Sequence, residues 1–153
     1  MKTMLAAFAL AVSASAATAQ NLTPAGRWHT ISDVDGKPRG VIEITESAGV
    51  FSGRIAGTLV PGESLDKICE VCPGDRKGAK LLGMTILSGL TQRGEGADVH
   101  WSGGEILDPD NGRLYRVTLT LEDEGRTLKV RGYIGVSLFG RTQRWRRAPA
   151  EGG

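Results

Sequence analysis

Two cysteines, two histidines and a run of C-terminal arginines are the residues here whose types and spacing could do chemistry. The cysteines stand together in Cys69-Glu70-Val71-Cys72, followed by Pro73-Gly74. Such a pair can be a redox couple, half of a zinc site, or a disulfide closing a turn. A redox couple needs its first cysteine at a helix start, where the thiolate is stabilised. Here Ser64-Leu65-Asp66-Lys67-Ile68 leads in and Pro-Gly leads out, with no βαβ setting. Zinc would need two more ligands at suitable spacing, and His29 and His100 are the only histidines. The reading taken is a Cys69–Cys72 disulfide, in a loop short enough that the bridge stiffens it rather than holding the fold together. No metal and no cofactor is expected.

Asp108-Pro109-Asp110-Asn111-Gly112 looks like part of a calcium loop, but glycine falls where a third oxygen ligand belongs and no glutamate closes it. Proline followed by Asn-Gly is hairpin chemistry instead. Arg131, Arg141, Arg144, Arg146 and Arg147 concentrate positive charge near the C-terminus. One of them beside Tyr133 or Trp145 could take a carboxylate or phosphate bidentately; the alternative is a solvated strand face that guards an edge. His29 and His100 each neighbour a tryptophan on an expected strand, so inward tryptophans turn both histidines outward. There is no Gly-any-Ser-any-Gly elbow, no His-Glu-any-any-His and no phosphate loop, and no catalytic residue is nominated.

The elements that must position these residues read as short strands between strong turn signals. Ile42 and Ile44 alternate with Glu43 and Thr45. Phe51, Gly53, Ile55, Gly57 and Leu59 share a face opposite Ser52, Arg54 and Thr58. Tyr115, Val117, Leu119 and Leu121 do the same, and Leu128 and Val130 face in while Lys129 and Arg131 face out. Period-two alternation belongs to a sheet with one buried face. Gly103-Gly104 marks a bulge or bend before Ile106. Pro61 to Lys80 is one long connection carrying the cysteines, the kind of loop that is usually functional or disordered, and the disulfide argues for order. Leu81 to Leu90 reads as a strand, with a short helix as the competing reading. The last strand spans about Phe139 to Arg147. About eight strands result, and the fold expected is all-β: a single antiparallel barrel, with a two-sheet sandwich as its competitor.

The chain has 153 residues and a formal net charge of +2, so no overall field draws it to nucleic acid or anionic membrane. Met1-Lys2, an apolar run from Met4 to Val12 and Ala17-Thr18-Ala19 have the form of a cleavable leader over 1–19. The expected organisation is that leader, one barrel domain over 20–147 and a loose tail over 148–153. Location would be periplasmic or secreted, with no membrane span past Val12.

Several blocks carry a resemblance: Gly26-Arg27-Trp28, the cysteine motif, Trp101 to Asp108, Asn111 to Tyr115, Leu128 to Gly135, and Leu138 to Trp145. With them the chain resembles the bacterial domain of unknown function 2147 family, small exported proteins with no assigned activity. More weakly it resembles the lipocalins, whose Gly-any-Trp strand closes one barrel end beneath an arginine from the last strand, and that resemblance implies a lipocalin-like or calycin-like barrel. Gly26 and Trp28 fit the first half. Arg141, Arg144 and Arg146 are open as the second, and Arg144 is assigned to the closure with Trp28.

The function expected first is non-enzymatic binding of a small amphipathic or anionic molecule. Trp101, Tyr115, Arg131 and Tyr133 are its contacts, since binding pockets combine aromatic walls with a few polar groups. An envelope interaction or structural protein with a protein partner comes second, and an enzyme with a loop-borne site near Cys69 and Cys72 third.

Overall fold

The computed structural model describes residues 22–136 and 140–149. The leader region, Leu138 and Phe139 of the closing block, and residues 150–153 lie outside them. Eight strands follow one another: β1 (Gly26–Ile31), β2 (Pro38–Ser47), β3 (Val50–Thr58), β4 (Thr85–Arg93), β5 (His100–Asp108), β6 (Arg113–Glu122), β7 (Thr127–Tyr133) and β8 (Gly140–Arg147). Each pairs antiparallel with the next, and β8 returns to β1, so the sheet closes into a barrel rather than splitting into a sandwich.

Register brings the alternating apolar residues onto one inner face. Trp28 pairs with Ile42, Leu119 with Val130, and Leu121 with Leu128. A bulge on β5 between Trp101 and Gly104 keeps the inward set in phase with β6. β4 begins at Thr85, four residues later than the alternation from Leu81 implies. The residues before it serve a turn, in which Leu81 N–H donates to Lys67 C=O at 2.8 Å and Met84 N–H to Leu81 C=O at 3.0 Å. A second bulge follows, since Gly53 pairs with Leu87 and Arg54 with Thr85. Ile86 is therefore an extra residue, and both Ile86 and Leu87 are buried.

The turns after β2, β4 and β6 lie with the chain ends at one pole, and the connections after β1, β3, β5 and β7 ring the other. The first pole is packed solid by Trp28, Ile44, Phe51, Leu90, Trp101, Leu119 and Leu128. The β1–β8 seam holds only two pairs, Trp28 with Arg147 and His29 with Arg146. Nearer the other pole, Arg141 Nε reaches Asp33 Oδ2 at 2.8 Å across the gap.

The long β3–β4 connection is ordered. Cys69 and Cys72 form a disulfide, both are buried, and their Cα atoms stand 5.5 Å apart. Cys69 N–H donates to Ala79 C=O at 2.9 Å and Gly78 N–H to Cys69 C=O at 2.7 Å, so the loop folds on itself. It also rests on the β5–β6 turn. Gly112 has φ +71°, and a Cβ there would stand 1.9 Å from the Val71 carbonyl oxygen. Only glycine permits both the turn and this approach. Gly112→Ala is therefore expected to cost about 2 kcal/mol in urea unfolding and to make the disulfide reduce faster under dithiothreitol.

Candidate functional site

The barrel is only half filled. Above the solid pole lies a cavity of about 1090 Å³ that opens between the four connections of the other end. Its inner walls are Ile42, Ile55, Ile86, Ile106, Val130 and Trp145, one from each of six strands. No charged side chain is fully buried among the described residues, so the depth of the cavity is apolar and uncharged. Its polar handles there are Thr30 and Gln143. Gln143 Oε1 accepts from the Trp145 indole at 3.2 Å, which leaves the amide N–H groups of Gln143 to face a guest.

Charge appears at the mouth, where each lining cation has a carboxylate partner. Asp33 holds Arg141, Glu63 holds Lys67, Asp35 holds Arg39 at 3.1 Å and Asp66 holds Lys80 at 3.0 Å. Hydrogen bonds from Lys67 and then Thr58 keep the Glu63 carboxyl below the ordinary glutamate range. A depressed folded pKa supports the loop above the unfolded value near 4.3 and ceases to as pH falls through the folded one. Protection of the Val60 and Glu63 amides against hydrogen exchange should therefore fall on acidification below about pH 4. Glu63→Gln should remove that pH dependence.

Of the four nominated contacts, Tyr115 and Tyr133 line the cavity near its mouth. Tyr115 Oη accepts from Asn111 Nδ2 at 3.0 Å, tying the ring to the β5–β6 turn. Trp101 does not reach the cavity. It lies below the floor, opposite Leu119 and edge-on to Phe51 with ring centroids 6.0 Å apart. Arg131 lies on the outer face between inward Val130 and Gly132, donating to Thr142 Oγ1 at 3.1 Å. Strand alternation already turned it outward. Trp145 and Gln143, not among the four, also line the cavity, and both share the inward face of β8 with Arg141.

Arg144 is likewise corrected as the closing residue. It faces solvent on the outside of β8 and pairs with Glu122 at 2.9 Å. The guanidinium over Trp28 belongs to Arg147, two residues inward of Trp145, with its Cζ 4.2 Å from the ring centroid. Arg147 also donates to the Gly125, Ala25 and Thr23 carbonyls at 2.7, 2.9 and 3.0 Å. Burial lowers its pKa, but a guanidinium keeps its charge throughout the physiological range. Gly26 makes the stack possible, since a Cβ there would stand 2.8 Å from Arg147 Nη1. The Trp28 indole donates to Pro24 C=O at 2.8 Å, completing the seal.

The cysteine sulfurs are bonded to each other, and His100 is held by Asp98 C=O at 2.8 Å on a different strand from His29. Among the described residues no three His, Cys, Asp or Glu side chains gather as a metal site. No helix among them is long and apolar enough to cross a membrane.

A closed eight-stranded antiparallel barrel, sealed at one pole by an arginine-capped tryptophan and hollow at the other, is a lipocalin-like barrel. A family profile described as an uncharacterised protein conserved in bacteria, DUF2147, matches residues 26–147, and the chain belongs to that family. No curated protein matches the sequence. Among solved structures, protein HP1028 from the human pathogen Helicobacter pylori, described as belonging to the lipocalin family, is similar with a TM-score of 0.72. The two are 21% identical, and the match covers 85% of this chain and 86% of that one. At that identity the likeness is one of fold.

Proposed function

We propose that this is an exported, non-enzymatic binding protein that encloses a small molecule with an apolar body and a polar end left at the mouth. The cavity itself carries the reading. About 1090 Å³ is at the upper end of small-molecule pockets, and its combination of apolar walls with few polar groups is their usual composition. The ligand is amphipathic rather than simply anionic. Arg141 and Arg39, the arginines lining the mouth, are held by Asp33 and Asp35, and the deep polar handle is a neutral amide. Export rests on the leader-like residues before Gln20.

Trp145 gives the test a built-in reporter, because it lines the cavity while Trp28 and Trp101 do not. Titration with phenylnaphthylamine, a neutral apolar fluorophore, should quench Trp145 by energy transfer and saturate at one probe per chain. Native mass spectrometry of protein from its own host should show a retained small molecule. A linear, unsaturable probe signal together with a bare mass would overturn the assignment.

A further inference from the structure

The described large aliphatic residues left exposed are not scattered. All but Leu22 and Val50 belong to the connections or strand starts at the mouth end. Val34, 95% exposed at the tip of the β1–β2 turn, stands there with Leu65, Leu82 and Ile134, and these four also line the cavity opening. Three of the four mouth connections contribute. An apolar ring of this kind at a cavity mouth marks a docking surface.

We propose that this ring docks on the surface of a phospholipid bilayer with zwitterionic headgroups. Three observations select that occupant. The aliphatic side chains come from separate connections, Val34 from β1–β2, Leu65 and Leu82 from β3–β4 and Ile134 from β7–β8, and Val34 stands between Asp33 and Asp35. A protein partner would want a contiguous apolar centre with large anchors, whereas a bilayer surface deforms around separate side chains. Second, rim cations Arg39, Lys67, Lys80 and Arg141 are each held by a carboxylate of the same rim, which matches a surface of paired charges rather than an anionic one. Third, the ring is continuous with the apolar cavity wall, so a molecule leaving a bilayer would reach the interior without crossing water. Tyr115 and Tyr133 line the same cavity, and amphipathic rings of this kind settle in headgroup layers. Docking goes beyond the binding function: it stands on the rim, and the rim would hold a bilayer whether the cavity is loaded or empty.

The test is flotation of the protein, as its own host produces it, with vesicles of phosphatidylcholine and phosphatidylethanolamine. The wild type should co-float, equally at low and high salt, with no gain from added anionic lipid. Val34→Asp combined with Ile134→Asp should lower the bound fraction about tenfold or more, because two side chains leave the apolar layer. Val50→Asp, the same change at the sealed pole, should leave flotation intact, and circular dichroism would establish that each variant is folded. The proposal is overturned if the wild type does not float, if flotation needs anionic lipid and is lost in salt, or if Val50→Asp is equally damaging. A lipid-independent dimer that the mouth variants dissolve would also overturn it, in favour of a second copy. Probe binding is scored in vesicle-free solution, so failure of docking and failure of the cavity assignment are separate results.

Discussion

Arg147→Ala should lower the stability of this barrel by about 3 kcal/mol, with a fall in Tm of roughly 10 °C. The guanidinium makes three hydrogen bonds to carbonyls from two separated parts of the chain and covers the Trp28 indole. Hydrogen bonds to a charged donor contribute about 1.5–3 kcal/mol each and the stack about 0.5–2, but they share one side chain and do not add. Arg147→Lys should recover little of the loss. One ammonium cannot serve the N-terminal segment and the β6–β7 turn together, and it presents no flat face to the indole. Urea unfolding would show a lower midpoint at unchanged slope. A change under about 0.5 kcal/mol, the size of an ordinary surface substitution, would mean the seal does not depend on this residue.

Gly132→Phe should abolish filling of the cavity, with probe affinity falling about 100-fold, while the fold survives. Gly132 lies on the cavity wall, and a Cβ there meets Tyr115 Cβ at 3.6 Å, Ile106 Cγ2 at 3.8 Å and Arg116 C=O at 4.0 Å, all ordinary contacts. Phenylalanine suits a strand better than glycine does, so stability should hold or rise slightly. The ring has nowhere to go but the space a guest would use. Arg131→Ala on the outer face of the same strand is the control and should leave the titration unchanged. Saturable binding that persists in Gly132→Phe would place the guest outside the barrel.

The inner face of this barrel was legible wherever alternation ran unbroken, as from Tyr115 to Leu121 and from Leu128 to Val130. Hairpin turns such as Asp108 to Gly112 were legible for the same local reason: backbone chemistry that residues carry with them. Depth along the barrel was not. Trp101 and Trp145 both face inward, but only the register of β5 and β8 against their neighbours puts one beneath the floor and the other in the wall. Arg147 has the inward parity of Gln143 and Trp145, but only the β1–β8 register sets it opposite Trp28 and so over the indole. The start of β4 was obscured by Leu82-Gly83-Met84, whose alternation mimics a strand while the Met84 amide closes a turn onto Leu81 C=O and the Gly83 amide reaches Ile55 C=O on β3. Arg131 is a different case, since its own strand pattern contradicted its nomination.

Sealing one pole gives the hollow a single door. A guest of the proposed kind would enter and leave by the same opening, and the end it presents there would stay within reach of whatever lies outside for as long as it is held.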